Sequence, residues 1–165
     1  MKRLKNIMCV LLVVMLLVPP VSGVWADNGC FAGEQTLVSE SVEYYEDGSM
    51  LVTAVYEVTV LTRTSLYNKA GRKVYEYREA DGNILWAFAV NGEFRVIEGA
   101  SVTCTSASCS TSIYNDAWRC TRKSAALSGS QAVANGVFEK TLLGIVISTE
   151  NVNVTLSCDP YGNLY

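Results

Sequence analysis

The sequence predicts an all-β protein, folded as a single antiparallel β-sandwich of about eight or nine strands. Apolar and polar residues alternate over long stretches, of which Leu51–Leu61 is the clearest. Asp-Gly, Asn-Gly and Ser-Gly turns separate these stretches, and no helical period persists. Because short connections join antiparallel strands whereas parallel strands need long crossovers, we expect hairpins and meanders.

The N-terminal residues have the pattern of a secretory signal peptide. Three basic residues precede an unbroken apolar run of 12 residues, Ile7–Val18, which two prolines end. The run is shorter than the roughly 20 residues that a membrane-spanning helix needs, which favours a signal peptide over an anchor. Cleavage after Ala26, with Gly23 as the alternative, gives a secreted chain that is extracellular or associated with the cell surface. Residues 27–36 then form a tail, and 37–165 the β-sandwich domain.

The charge of the mature chain excludes several kinds of partner. Three of the 13 basic residues leave with the signal peptide and all 16 acidic residues remain, so the net charge becomes −6. A basic footprint is therefore absent, and we expect no nucleic-acid partner. The mature chain also contains no apolar stretch long enough to form a transmembrane segment.

The first half of the predicted domain alternates strands and turns. Leu37–Tyr45 is the first strand. A turn is expected at Asn68–Gly71, because glycine accepts the positive φ angle that many turns require. The next strand is Val74–Glu79, in which Tyr75 and Tyr77 share one face.

The stretch Ile84–Cys104 is densest in strand-forming residues and should form the centre of the core. Asn91-Gly92 interrupts it and predicts a hairpin, since Asn-Gly is a favoured two-residue turn. Two registers are open. A two-residue turn sets Phe94 opposite Ala89, whereas a loop one residue longer sets Phe94 opposite Val90 and gives the cleaner apolar face. The longer loop is preferred, because burial of a large side chain contributes about 1.5–3 kcal/mol.

The C-terminal half continues the same pattern. A turn at Tyr114–Asp116 precedes a strand that begins near Trp118. The apolar run Leu142–Ile147 is expected to be a buried strand, since it is far too short to cross a membrane. In the last strand, apolar residues alternate inward and end at Cys158.

Five cysteines remain in the mature chain, and export to an oxidising compartment favours pairing them. Cys104 and Cys158 both alternate inward, which predicts a bridge between them. Cys109 lies opposite Cys120 for one centring of the intervening turn, which predicts a second bridge. Cys30 is then free or serves a partner, and other connectivities remain open.

Two cysteines and a tryptophan suggest an immunoglobulin-like variant of the sandwich. Trp118 follows Cys104 by 14 residues, and Cys158 follows it by 54. An inward tryptophan between two core cysteines is typical of such domains. Two departures stand against the family. About 75 residues of strand pattern precede Cys104, where a standard domain has one strand, and Leu156 occupies the position of the usual tyrosine.

A signal peptide, an aromatic strand that reaches a cysteine and a closing Cys-Asp-x-x-Gly-Asn segment occur together in this chain. The aromatic strand runs from Trp86 to Cys104, and the closing segment from Cys158 to Asn163. In these features, which span most of the mature chain, the sequence resembles a loose group of small secreted proteins from Gram-positive bacteria. That group has no assigned activity, so the resemblance carries over no functional residue.

The absence of histidine excludes most catalytic and metal sites. A Ser-His-Asp triad, a Cys-His pair and histidine-ligated zinc or haem are all impossible, and no cofactor is expected. The turn at 79–83 lacks the ligand pattern of a calcium loop. A secreted carbohydrate-active enzyme that uses two carboxylates about 5–10 Å apart remains an alternative. The glutamates on or near strands that could serve are Glu43, Glu57, Glu76, Glu79 and Glu98.

Binding is the function that the sequence favours. Tyr44, Tyr45, Tyr75 and Tyr77 are aromatic residues with a polar tip, a type enriched on recognition surfaces. Tyr75 and Tyr77 lie side by side and form a candidate platform for a sugar or peptide, although tyrosine is also an ordinary strand residue. We expect a secreted, non-catalytic β-sandwich that binds an extracellular protein or glycan, or that builds part of the cell envelope.

Overall fold

A computed structural model describes residues 34–58 and 65–165, which form eight strands and no helix. The strands are β1 (Gln35–Tyr44), β2 (Met50–Val58), β3 (Leu66–Arg78), β4 (Ile84–Ile97), β5 (Ser101–Ile113), β6 (Trp118–Ser128), β7 (Gln131–Leu142) and β8 (Ile145–Ser157). The predicted all-β class is confirmed. No helix among these residues is long and apolar enough to cross a membrane. The expected signal peptide, its cleavage site at Ala26 and the cysteine at position 30 lie outside the described residues.

The eight strands form two antiparallel sheets. The larger has the order β1-β2-β3-β4-β5 and the smaller the order β6-β7-β8. Every hydrogen-bonded neighbour among the described strands is also the next strand along the chain, so each sheet is a meander. An immunoglobulin domain has Greek-key connections instead. The described topology therefore gives no support to the immunoglobulin-like variant.

The two sheets share one hydrophobic core that is centred on β4. Its largest fully buried side chains include Trp86, Phe88 and Phe94, as the alternation in the sequence predicts. The rings of Trp86 and Phe138 stack across the sheets with centroids 4.1 Å apart, and Phe88 meets Phe138 edge to face at 5.7 Å. Each buried large side chain contributes about 1.5–3 kcal/mol, so this contact between β4 and β7 is central to the stability of the fold.

The predicted hairpin at Asn91-Gly92 is wrong, and so are both of its registers. β4 runs straight through these residues and pairs with β3 on one side and β5 on the other. Gly92 serves a different purpose, since a Cβ placed there would come within 2.9 Å of the Ala132 Cβ and of the Phe94 ring. The glycine lets β7 of the smaller sheet approach β4 closely. Hydrogen bonding along both edges of β4 outweighs the local turn preference of Asn-Gly.

The predicted turn at Asn68–Gly71 is wrong for a related reason. These residues lie inside β3, where Gly71 pairs directly with Gly92 of the neighbouring strand. A Cβ on Gly71 would collide with the Leu164 side chain near the C-terminus. Both glycines therefore provide space under the second layer of the fold instead of a change of chain direction.

The apolar run Leu142–Ile147 is not the predicted buried strand. It forms the tip of the β7–β8 hairpin, where Leu143 and Gly144 both have positive φ, at 51° and 79°. All of its apolar side chains are exposed, and Leu143 reaches 95%. Nothing in the hydrophobic pattern distinguishes such a tip from a buried strand, because both consist of short apolar runs.

The expected hairpin between β5 and β6 does not form either. The residues around Asn115 connect the two sheets, so β5 and β6 lie in different layers and share no ladder of hydrogen bonds. Cys104 and Cys158 point into the core as predicted. The four cysteines of the described residues are free thiols in this structure, and no disulfide joins them.

Candidate ligand-binding cleft

A cleft of about 610 Å³ lies where the smaller sheet ends over the inner face of the larger one. Its base is formed by β2 and β3, one wall by residues 150–153 of β8, and the other by the β1–β2 turn. The lining residues are Tyr45, Glu46, Asp47, Ser49, Leu51, Tyr75, Tyr77, Trp86, Glu150, Asn151, Val152 and Asn153. The volume falls within the range of about 300–1,000 Å³ that small-molecule sites occupy.

Tyr75 and Tyr77, the platform predicted from the sequence, both line this cleft, but they play different parts. The ring of Tyr77 stacks on Trp86 with centroids 5.3 Å apart and meets Trp118 edge to face at 5.8 Å. One face of the Tyr77 ring is thus covered by the core. Tyr75 is half-buried and makes no ring contact with another aromatic residue of the described chain. Tyr75 packs partly against the core and lines the cleft with the rest of its side chain, whereas Tyr77 supports the cleft from below.

A relay of hydrogen bonds fixes the β1–β2 turn over Tyr77. The Tyr77 hydroxyl donates to Ser49 Oγ at 3.1 Å, and the Ser49 hydroxyl donates to Asp47 Oδ1 at 2.6 Å. The Ser49 backbone N–H donates to the same carboxylate oxygen at 2.9 Å. These bonds from Ser49 lower the pKa of Asp47, so the carboxylate is ionised at neutral pH. The turn is therefore preorganised and presents a fixed negative charge at the cleft.

Tyr45 completes the aromatic lining from above. Its ring meets Tyr77 edge to face at 6.0 Å, and 43% of the residue remains exposed. Burial and the nearby Glu43 carboxylate raise the pKa of Tyr45 and of Tyr75. Both phenols therefore keep their protons at neutral pH, and each can donate a hydrogen bond to a ligand.

The wall from β8 adds polar groups that can bind hydroxyl or amino groups. Asn151 is exposed, and its side-chain amide makes no hydrogen bond to another described residue. Glu150 accepts one hydrogen bond, from Ser148 Oγ at 3.2 Å, and keeps other lone pairs available. Ligand sites commonly combine aromatic rings with a few amide or carboxylate groups, because these polar groups fix the orientation of the ligand.

One donor in the cleft lining has no acceptor. Trp86 is 2% exposed, and its indole Nε1–H has no hydrogen-bond partner among the described residues. A buried donor of this kind costs free energy of about 1–3 kcal/mol unless it is satisfied. A ligand or water in the cleft with an acceptor atom near Trp86 would remove that cost.

Of the five glutamates proposed from the sequence, only Glu43 lies close enough to the cleft to influence its tyrosines. Glu57 forms an ion pair with Lys69 at 2.5 Å, and Glu76 pairs with Arg78. The predicted hairpin turn after Glu79 is present, with Asp81 accepting from the Asn83 backbone N–H at 3.0 Å. No group of residues that could hold a metal ion occurs in the described part of the chain.

Sequence reasoning missed the acidic residues that do line the cleft. Glu46 and Asp47 belong to a turn and Glu150 to a distant strand, about 100 residues later. A turn and an ordinary polar strand face are what the local pattern predicts for them. Pairing of β2 with β3 within the larger sheet brings Glu46 and Asp47 near Tyr75, and only the packing of β8 against β3 adds Glu150.

Comparison with protein-family models, with curated proteins and with solved structures gave no match.

Proposed function

We propose that this protein is a secreted, non-catalytic β-sandwich module that binds a glycan in the cleft between the β1–β2 turn, β3 and β8. The observation that carries the proposal is the convergence of Tyr45 and Tyr75 with the ionised Asp47, Glu150 and the free amide of Asn151. Tyrosine rings stack on the apolar faces of sugar rings, and carboxylate and amide groups bind their hydroxyls. The signal-peptide pattern at residues 1–26 supports secretion.

The charge of the cleft favours neutral sugars or sugars with amino groups. Its lining includes three carboxylates, Glu46, Asp47 and Glu150, and no basic residue. Glu43 adds a further negative charge nearby. An acidic glycan would be repelled, whereas an ammonium group would be attracted by the carboxylates and by the faces of the tyrosine rings. The ligand class is therefore a neutral or amino-sugar glycan.

A secreted carbohydrate-active enzyme is the second candidate, because carboxylates do line the cleft. A glycosidase needs one carboxylic acid whose pKa is raised so that it can donate a proton. The pKa of Asp47 is instead lowered by the hydrogen bonds from Ser49. That direction suits a fixed anionic contact and opposes a role for Asp47 as the general acid.

The proposal is tested by isothermal titration of the mature chain with three oligosaccharides: an N-acetylglucosamine oligomer, its deacetylated glucosamine form and an oligouronate. We expect binding of the first two, with the deacetylated form tighter, and no binding of the oligouronate. Tyr75→Ala and Tyr45→Ala should each weaken binding by about tenfold, since a stacking contact contributes about 1–1.5 kcal/mol.

Tyr44→Ala is the matched control. Tyr44 is adjacent to Tyr45 in sequence and 71% exposed, but it does not line the cleft. Its loss should change the affinity by less than about twofold. Equal weakening by Tyr44→Ala and Tyr45→Ala would place binding elsewhere, and binding of the oligouronate alone would contradict the charge argument. Hydrolysis of any of the three oligosaccharides would establish the enzyme alternative.

A further inference from the structure

We propose that Cys104 pairs with Cys158 and Cys109 with Cys120, and that these two disulfides bind β5 of the larger sheet covalently to the smaller sheet. The sequence suggests these pairs as a long-range bridge and a hairpin staple, whereas the topology makes both of them links between layers. The two sheets share no hydrogen-bonded strand pair in the described chain, so side-chain packing holds them together. Two covalent links on one edge strand would prevent the layers from separating there.

The β6–β7 turn accepts hydrogen bonds from the backbones of both Cys104 and Cys158. The Cys104 backbone N–H donates to the Gly129 carbonyl at 2.8 Å, and the Cys158 backbone N–H donates to the Ser130 carbonyl at 3.1 Å. The two acceptors belong to consecutive residues, whose Cα atoms are about 3.8 Å apart. Both cysteine side chains enter the same hydrophobic core, with exposures of 5% and 1%. Attachment to the same turn and a shared buried environment favour a bridge, which requires Cα atoms within about 7 Å of each other.

The thiols of this pair form only weak local hydrogen bonds that a bridge could replace. Cys104 Sγ donates to the Ser106 carbonyl at 3.3 Å, and Cys158 Sγ donates to the Asp159 carbonyl at 3.5 Å. Burial raises the pKa of Cys158 to about 11, and the charge of a Cys104 thiolate contributes to that rise. This electrostatic influence of one thiol on the other agrees with their attachment to the same turn.

The second pair faces across the same edge, nearer to the connection between the sheets. Cys109 of β5 and Cys120 of β6 are both half-buried and pack against the common core. A side-chain contact joins the same two strands, since Lys123 Nζ donates to Thr111 Oγ1 at 3.5 Å. Burial raises the pKa of Cys109, Lys123 partly offsets that rise, and the charge of Cys120 adds to it. Cys109 thus lies near both Lys123 and Cys120.

The oxidation follows ordinary thiol–disulfide exchange. A thiolate of each pair attacks one sulfur of a small disulfide such as oxidised glutathione, forms a mixed disulfide and releases one thiolate. The second thiolate of the pair then attacks the protein sulfur of the mixed disulfide and releases the other. The pair loses two electrons and two protons, and the small disulfide is reduced to two thiols. Because Cys109 and Cys120 are more accessible than the core pair, their bridge should be the one that reductant reaches first in the folded protein.

Refolding of the reduced mature chain with oxidised glutathione, followed by peptide mapping without reductant, tests the pairing. Trypsin leaves Cys104 and Cys109 on one peptide, because no lysine or arginine lies between Arg95 and Arg119. The double variants C104S/C158S and C109S/C120S each retain one proposed pair, whereas C104S/C120S and C109S/C158S each retain one crossed pair, whose two thiols should stay free. In C104S/C158S, a disulfide should join the 96–119 peptide to the peptide that begins at Cys120. In C109S/C120S, a disulfide should join the 96–119 peptide to the C-terminal peptide, which contains Cys158.

Stability measurements add a readout that chance pairing would not give. Reduction of the oxidised protein should lower Tm by about 10 °C or more, since closure of loops of about 12 and 55 residues stabilises a fold substantially in the chain-entropy model. C104S/C158S and C109S/C120S, which each keep one proposed bridge, should each retain part of that difference in Tm between the oxidised and the reduced protein. A link from Cys104 to Cys120, a link from Cys109 to Cys158, a bridge that includes Cys30, or four thiols that stay free in the oxidising buffer would each overturn the proposal. The refolding assay does not depend on glycan binding or on secretion, so its failure is distinct from theirs.

Discussion

Gly92→Ala tests the close approach of the two sheets most directly. The added methyl would lie 2.9 Å from the Ala132 Cβ of the opposite sheet and 2.9 Å from the Phe94 ring. Overpacking of a buried site lowers the free energy of unfolding by about 1–3 kcal/mol, whereas replacement of a strand glycine by alanine raises it by about 0.5–1 kcal/mol. We expect a net loss of about 1–2 kcal/mol in the free energy of unfolding.

Urea unfolding followed by the fluorescence of Trp86 and Trp118 provides the assay, because both indoles are buried and report on the core. The loss should appear as a lower midpoint with an unchanged m-value. Ala132→Gly removes the methyl that the new side chain would strike. In the Gly92→Ala background it should therefore recover at least about 0.5 kcal/mol relative to the sum of the single changes.

The double-mutant cycle separates this explanation from a turn at Asn91-Gly92. If Asn91-Gly92 formed a turn, Gly92→Ala would lower the free energy of unfolding through backbone strain. That loss would be the same with alanine or glycine at position 132. Additive effects of the two changes, or a more stable Gly92→Ala variant, would refute the close approach of β7 to β4.

Two further predictions concern the hairpin tip and a buried thiol. Leu143→Asn should raise the free energy of unfolding by about 0.5–1 kcal/mol, because asparagine tolerates the positive φ and the 95% exposed leucine loses no packing; an unchanged or lower urea midpoint would contradict this. In the reduced protein, folding raises the pKa of Cys158 from 9.0 to about 11, so only the unfolded thiol loses its proton between those values. The stability present below pH 9 should therefore decline by up to about 2–3 kcal/mol as pH rises to about 11. Cys158→Ala should show a correspondingly shallower decline in urea titrations across this range, and parallel profiles for the two proteins would contradict the assignment.

The sequence determined the class of the fold and much of its core. Alternation placed Trp86 and Phe88 on one inward face, and it placed Cys104 and Cys158 in the core as well. These inferences hold because side-chain direction in a strand depends on position parity alone. The sequence also drew attention to Tyr75, which lines the cleft, without indicating what lies opposite it.

Only the tertiary structure decided where the chain turns and what meets across the layers. Asn-Gly is a favoured turn sequence, yet β4 continues through Asn91-Gly92 because its backbone pairs with a strand on each side. The missing side chain of Gly92 also leaves room for Ala132 of the other sheet. Leu142–Ile147 has the composition of a core strand, yet it is an exposed tip. Asp47 lies near Tyr75 through strand pairing within the larger sheet, and Glu150 reaches Tyr75 only through packing between the sheets. Local propensities differ by about 1 kcal/mol, which long-range pairing and burial readily exceed, so the contacts that define the cleft are fixed by the whole fold.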